Sequence, residues 1–528
     1  MPHSTVDAVV IGAGPNGLVA ANALGDADWD VVLVEAQDDV GGAVRSAEVT
    51  APGYVNDLFS AFYPLAAASP IIRDLHLEQH GLAWRQAPDV LSHVLDDGRA
   101  AVLRRDPADT AAGLDAEAAG DGEAWLEMYD GWQRVRDPLL DALFTPFPPV
   151  AAGARMLRRL GASGGLDFAR LAVLPVRRLA EERFRGQGAG LLLTGNALHS
   201  DVPPDAAGSG VFGWLLAMLG QDVGFPVPEG GAGRLAQALR ARAESLGVEV
   251  RTGAEVTEVT TSADRATGVR MADGTSIAAR HAVLADVAAP ALYSRLLARH
   301  RLPAKLLRDL ERFHWDNPTI KLNWALERPV PWTAREAAGS GTVHLGVDDH
   351  GFVDFAADLS TRRDPERPFL LFGQMTTSDP TRSPEGTESA WAYTHVPHGD
   401  WSGERLDRHV ERMEQAVERV APGFRDIQLA RHVQSPGSLE AMDANLVDGA
   451  VNAGTSALHQ QLIFRPVPGL GRPETPVEGL YLAGASAHPG GGVHGACGWN
   501  AARAALAHQG RTGRMRRALA STAWARLT

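Results

Sequence analysis

The residues best placed to do chemistry are Gly12-Ala13-Gly14-Pro15-Asn16-Gly17. Glycines in the spacing Gly-x-Gly-x-x-Gly bring backbone close to a diphosphate. The first permits a tight turn, the second admits the phosphate, and the third lets a following helix pack on its strand. That helix then faces the anion with free N–H groups and the positive end of its dipole. Glu35 lies 23 positions beyond Gly12 (35 − 12), where a carboxylate accepts hydrogen bonds from a ribose hydroxyl. Gly41-Gly42 follows a few residues later, and Arg45 beside it is a cation for the same diphosphate or a surface ion pair.

Other chemistry-bearing residues are more scattered. Lys321, one of two lysines with Lys305, sits in the apolar run Thr319-Ile320-Lys321-Leu322-Asn323-Trp324, where a charge needs a partner or must snorkel outward. His494 and His488 flank Gly490-Gly491-Gly492, and both are candidates for proton transfer near neutral pH. His199 and His395 are weaker candidates, and for all four an alternative is a satisfied structural histidine. Gly161-Ala162-Ser163-Gly164-Gly165 fits Gly-x-Ser-x-Gly but follows an arginine-rich helical stretch, so it reads as a flexible turn. No His/Asp/Glu spacing makes a metal site. The single Cys497 excludes an internal disulfide and a Cys-x-x-Cys redox pair.

The elements that must position the glycines are legible. Ala8-Val9-Val10-Ile11 reads as a strand, Leu18 to Leu24 as a helix, and Val31-Val32-Leu33-Val34 as a second strand ending at Glu35. Strand, turn, helix, strand and terminal acid together make a Rossmann-type fingerprint far stronger than glycines alone. Two later stretches return to the same layer. Residues 226–297 hold a helix with Leu235 and Leu239, short β-branched runs, the turn Asp273-Gly274, and a buried strand His281 to Asp286. Gly479 to Ala483 is a last strand, entering a glycine-rich loop and a helix from Ala496 to His508. The fold class is therefore α/β, with a dinucleotide domain assembled from 1–60, 226–300 and 470–510. An α+β substrate domain (61–225 and 301–469) is interleaved with it, and 511–528 is a basic C-terminal tail.

Composition bounds the rest. With 528 residues, 45% hydrophobic and 22% charged, the chain is an ordinary globular protein of several domains. Its formal charge of −14 argues against nucleic acid as a partner. No signal-peptide pattern opens it and no run of about 18 apolar residues occurs, so a cytoplasmic location is expected. Arginine-rich amphipathic stretches, Arg155 to Arg185 and the tail, are candidates for peripheral contact with an anionic membrane, or for packing on a core or subunit. Ala108 to Ala124 reads as an acidic, solvated loop or helix. Oligomeric state is not legible.

These motifs resemble the phytoene-desaturase-related flavoproteins of the amine oxidase superfamily, over nearly the whole chain. Within it the nearest group is named for a pyridine nucleotide-disulfide oxidoreductase domain, although Cys497 has no disulfide partner here. The resemblance rests on Gly12–Gly17, Gly41-Gly42, Pro228-Glu229-Gly230-Gly231, Gly484–Gly495, and the stretches from Tyr63 to Pro70 and from Trp391 to Pro397. It implies FAD as the cofactor, with the Val256 backbone at the adenine and the loop bearing Gly484, Ala485, Gly492, Val493 and Gly495 along the isoalloxazine. In amine oxidases a substrate-domain lysine holds a water at the flavin; no flanking motif fixes the register of Lys321 to it. The expected activity is oxidation or desaturation of a hydrophobic substrate of the isoprenoid or polyene kind, with reoxidation by oxygen or a quinone. An amine or amino-acid oxidase is the first alternative. An FAD-bound isomerase or non-catalytic assembly protein is the second.

Overall fold

The computed structural model describes residues 4–298, 300, 302–469, 471–510, 513, 515 and 517. The basic tail 511–528 therefore lies almost wholly outside the described residues. Two large sheets organise them. In the first, the order is Val256–Ser262, Arg265–Met271, Ser276–Ala285, Ser4–Ile11, Val31–Val34, Glu249–Arg251. Leu480–Leu482 joins by pairing with the last three residues of Ser276–Ala285. The parallel strands Val31–Val34 and Leu480–Leu482 are buried throughout, as strands covered on both faces must be. Arg265–Met271 and Ser276–Ala285 form the hairpin expected around Asp273-Gly274.

Register decides where the chemistry falls. Ile11 pairs with Val34 and with Ala285, and Ala285 pairs with Leu482. Four strands thus end at one level, and the next residues in each, Gly12, Glu35, Asp286 and the Ala483-Gly484 pair, emerge along one carboxyl edge. Helices Pro15–Gly25 and Ala496–Gln509 pack on each other beneath that edge. Gly498 makes this contact possible, since a Cβ there would lie 1.8 Å from the Asn16 carbonyl oxygen.

The second sheet runs Gln428–Gln434, Thr319–Leu326, Glu388–His395, Leu370–Gln374, Ser340–Leu345, Asp89–Val94, Ala100–Leu103, antiparallel except between Ser340–Leu345 and Asp89–Val94. Helices Gly188–Ala197 and Ser209–Asp222 pack against each other beside it. The Gly-x-Ser-x-Gly segment is not a free turn. It lies within the helical run Val150–Leu171, broken at Gly161, because only that glycine leaves helical geometry (φ 68°). The 108–124 stretch is helical, in Pro107–Glu117 and the start of Asp121–Phe144. Among the described residues no helix is long and apolar enough to cross a membrane.

Candidate active site

A long groove follows the carboxyl edge of the first sheet, with about 1300 Å³ of empty volume including its open mouth. Gly12, Gly14, Pro15, Asn16, Glu35, Gly42, Arg45, Val256 and Ala485 line it. Gly12 has φ +89°, and a Cβ there would lie 2.6 Å from the Asp286 carbonyl oxygen. A Cβ on Gly14 would lie 2.7 Å from Asp286 Oδ2. The turn is therefore closed to a side chain at Gly12, and at Gly14 a side chain would have to displace the Asp286 carboxylate. Gly41 (φ +121°) donates to the Ala13 carbonyl, tying the second glycine pair to the first loop.

Glu35 closes one end. Its Oε2 accepts from Ala13 N at 2.7 Å and its Oε1 from Gln37 N at 2.9 Å. Burial raises its pKa against these donors. Arg45 donates to the carbonyls of Gly42 (3.0 Å) and Met442 (2.7 Å) and stacks over Phe59. It is thus fixed in the groove wall and does not form a surface ion pair.

The structure adds two carboxylates to the groups assigned from sequence. Asp286 is buried at the end of its strand and accepts from Gly17 N at 2.8 Å. Burial, with the Asp443 and Glu35 charges nearby, pushes it up to about 8. Asp443 also lines the groove, and burial raises it despite Arg45. Asp286 was legible as a strand-end acid like Glu35, whereas the segment Met442–Leu446 carries no motif.

A second hollow of about 1020 Å³ lies across the segment Val451–Ala453 from the groove: Asn452 lines this hollow, and its neighbours Val451 and Ala453 line the groove. Its floor is Pro489–Gly492, and Gly492 and His494 line it. Most of its wall is apolar, with Phe62, Leu65, Leu215 and Phe225 among the lining residues, and no aspartate, glutamate, lysine or arginine reaches it. His494 is buried; its Nδ1 accepts from Ala496 N at 3.0 Å, and the ring packs on Phe144. Burial pulls it down to about 4, so it is a neutral imidazole near pH 7.

The segment shared by both hollows is held by two buried ions of opposite sign. Asp316 accepts from the N–H groups of Val451, Asn452 and Gly454. Arg465, 1% exposed, donates to the carbonyls of Asn452, Ala453, Gly454, Thr455 and Ala485. Buried backbone groups need such partners. Arg465 and Asp316 stand far from any glycine motif, so the sequence offered no signal for them.

Several expected site residues fall elsewhere. Gly495 (φ +74°) caps the last helix, and a Cβ there would press on Val19 at 2.9 Å, so its place is helix packing. Gly484 lies against Asp286 and Val287 behind the groove, and Val493 packs against the main core. Gly17 is likewise a packing and hydrogen-bonding residue, its Cβ position 2.0 Å from the Gly12 carbonyl oxygen. Lys321 lines neither hollow. It is not surface-facing either: it is 3% exposed, its Nζ donates to the carbonyls of Asp57 and Phe59, and it lies 5.1 Å from the Trp391 ring centre. Burial lowers it to about 7. His488 Nε2 donates to the Thr145 carbonyl at 3.2 Å, and the residue is absent from both linings. Among the described residues no group of three or more His, Cys, Asp or Glu could hold a metal.

The groove's own groups fit a dinucleotide. The N–H groups of Gly14 and Asn16 have no acceptor among the described residues, and Asn16 Oδ1 is buried without a partner. With Asp286 held protonated, the carboxylate nearest the helix N-terminus adds no charge against a diphosphate.

The model of the flavin-containing amine oxidoreductase family matches residues 16–506. The chain belongs to that family. Its cofactor is FAD, and it is a flavin oxidoreductase of the amine oxidase type. It is 28% identical to mouse (Mus musculus) pyridine nucleotide-disulfide oxidoreductase domain-containing protein 2, over 94% of this chain and 92% of that protein. It is 26% identical to the zeta-carotene-forming phytoene desaturase of Myxococcus xanthus, over 92% of this chain and 90% of that one. In fold it is similar to an oxidoreductase from Methanosarcina mazei (TM-score 0.61, 16% identity), covering 94% of this chain and 99% of that one.

Proposed function

We propose that this flavoprotein oxidises, and by the likeness to phytoene desaturases desaturates, a hydrophobic substrate held in the hollow beyond Asn452. FAD supplies the acceptor for a hydride when bound. The chain's residues bind and orient it. Glu35 takes the ribose, the N–H groups of Gly14 and Asn16 take the diphosphate, Arg45 lies beside it, and Val256 borders the adenine end. Ala485 and Gly492 would flank the isoalloxazine end, and His494, a neutral imidazole whose Nδ1 is occupied by the Ala496 N–H, lines the hollow as an orienting ring and not as a base. Lys321 acts at one remove: it holds the Asp57–Phe59 carbonyls, and Phe59 backs Arg45. Oxygen or a quinone would accept the electrons.

One observation carries this reading. The hollow across Val451–Ala453 from the groove is mostly apolar and has no charged residue in its lining. An amine oxidase would be expected to offer an ammonium ion a carboxylate or an aromatic cage, and burying that cation unpaired is costly. Exposed Leu157 and Leu166 on the arginine-rich helix suit delivery of an apolar substrate from a membrane surface.

The test is anaerobic bleaching of the bound flavin by two panels, isoprenoid polyenes and primary amines. Bleaching by the polyenes is expected. Bleaching by amines alone would move the protein to the amine-oxidising branch, and turnover without any acceptor would make it an isomerase.

A further inference from the structure

The hollow is apolar but not uniformly so. Resting on the reading above, we infer that it selects a neutral amphiphile: an apolar chain ending in a hydroxyl or carbonyl oxygen, recognised by His199, Asn452 and Ser200.

His199 lines the hollow and its Nε2 lies 2.9 Å from His344 Nε2, so one proton is shared between two rings. His344 Nδ1 is buried without a partner, pressed on the helix at Gly195, where a Cβ would lie 2.2 Å from it. A buried N–H without an acceptor is rarer than a buried lone pair without a donor. The proton therefore sits on His344 Nε2 and points at His199, which leaves His199 with its hydrogen on Nδ1. That nitrogen has no partner among the described residues.

Two more groups share the wall. Asn452 Nδ2 is buried with no acceptor. Ser200 gives its hydrogen to the Ala197 carbonyl at 2.6 Å and so keeps lone pairs. Two donors and a hydroxyl acceptor match an oxygen that accepts, and in a hydroxyl also donates.

The charge pattern excludes the neighbouring chemical classes. No carboxylate is present for an ammonium, and no arginine or lysine for a carboxylate. Burial holds His199 and His344 below their usual range, and the nearby His395 and His93 rings are lowered too, so the histidines facing His199 are neutral near pH 7. A pure hydrocarbon would leave the His199 and Asn452 donors unmet, and sites built to hydrogen-bond strongly reject analogues that lack the group.

The experiment compares 1-octanol, n-octane, octylamine and octanoate by calorimetry on FAD-loaded protein, with flavin content measured by absorbance beforehand. The expected result is 1-octanol tightest, by about tenfold or more over each of the others. His199→Phe should reduce 1-octanol to the octane level with flavin content unchanged, and His199→Gln, which retains an N–H donor, should restore part of the preference. Octylamine or octanoate binding as tightly, a preference that survives His199→Phe, or no binding by any of the four would overturn the inference. Protein that purifies without flavin and cannot be loaded would fail the oxidoreductase reading instead, and the absorbance distinguishes the two failures.

Discussion

The groove and the hollow share the wall Val451–Ala453, yet they are built by opposite means. The groove is backbone: glycines at a strand–helix turn, N–H groups without acceptors, and strand-end acids brought level by register. The hollow is side chains from widely separated segments, among them Phe62, Leu143, His199, Leu215 and Asn452. Backbone sites tolerate little change at their glycines and bind a constant ligand. Side-chain sites can be re-lined while the fold stays, which is where substrate choice belongs.

The largest expected effect therefore falls on the groove. Gly12→Val places a branched side chain at φ +89° against the Asp286 carbonyl. Strain and overlap of this kind cost on the order of 3 kcal/mol or more, about 100-fold in affinity. FAD should be lost on gel filtration; full retention would break the backbone half of the comparison.

Next comes the shared wall. Arg465→Met leaves the carbonyls of Asn452, Gly454 and Ala485 without a donor, while Ser486 and Gln461 still serve those of Ala453 and Thr455. Unmet buried groups of this sort cost roughly 3 kcal/mol or more together. Both FAD affinity and thermal stability should fall, and a change in one alone would show that the wall is not shared.

The two regions should also respond to pH with opposite sign. Asp286 keeps its proton in the folded state up to about 8, whereas unfolded it loses it near 3.8. Across that window the folded state binds the extra proton, so its contribution to stability is lost as pH rises. His494 refuses a proton in the folded state down to about 4, whereas unfolded it takes one near 6.5. Its contribution is lost as pH falls from 6.5 to 4. In melts of FAD-free protein, Asp286→Asn should flatten the loss toward pH 8, and His494→Phe the loss toward pH 4. Variants that shift the curve without changing its slope would contradict both assignments.

The smallest effect is expected at Lys321, which touches neither hollow. Lys321→Met removes the tie from the second sheet to the Asp57–Phe59 carbonyls. A several-fold weaker FAD affinity is expected, since only Phe59 and Arg45 transmit the loss. Unchanged affinity with slowed flavin reduction would instead place the lysine at the reacting atoms.

This ordering also tracks what was legible in the sequence. Glycines, β-branched strands and Glu35 announce themselves because local spacing dictates their conformation. Gly495 and Val493 are harder to read, because glycine runs mark close packing as readily as cofactor contact, and here Gly495 serves the helix against Val19. Asp286 carried a signal, an acid ending an apolar strand. His199 carried a weak one as a proton-transfer candidate; Arg465, Asp316 and His344 carried none, because their partners lie far off in sequence and only the fold brings them together.

The most direct test is a crystal structure of the protein with FAD bound. The account predicts the adenine ribose at Glu35 beside Val256, the diphosphate at Gly14 and Asn16, and the isoalloxazine directed past Ala485 toward Pro489–Gly492, opening on the hollow. A flavin ring turned away from the hollow, or a dinucleotide bound elsewhere, would contradict it.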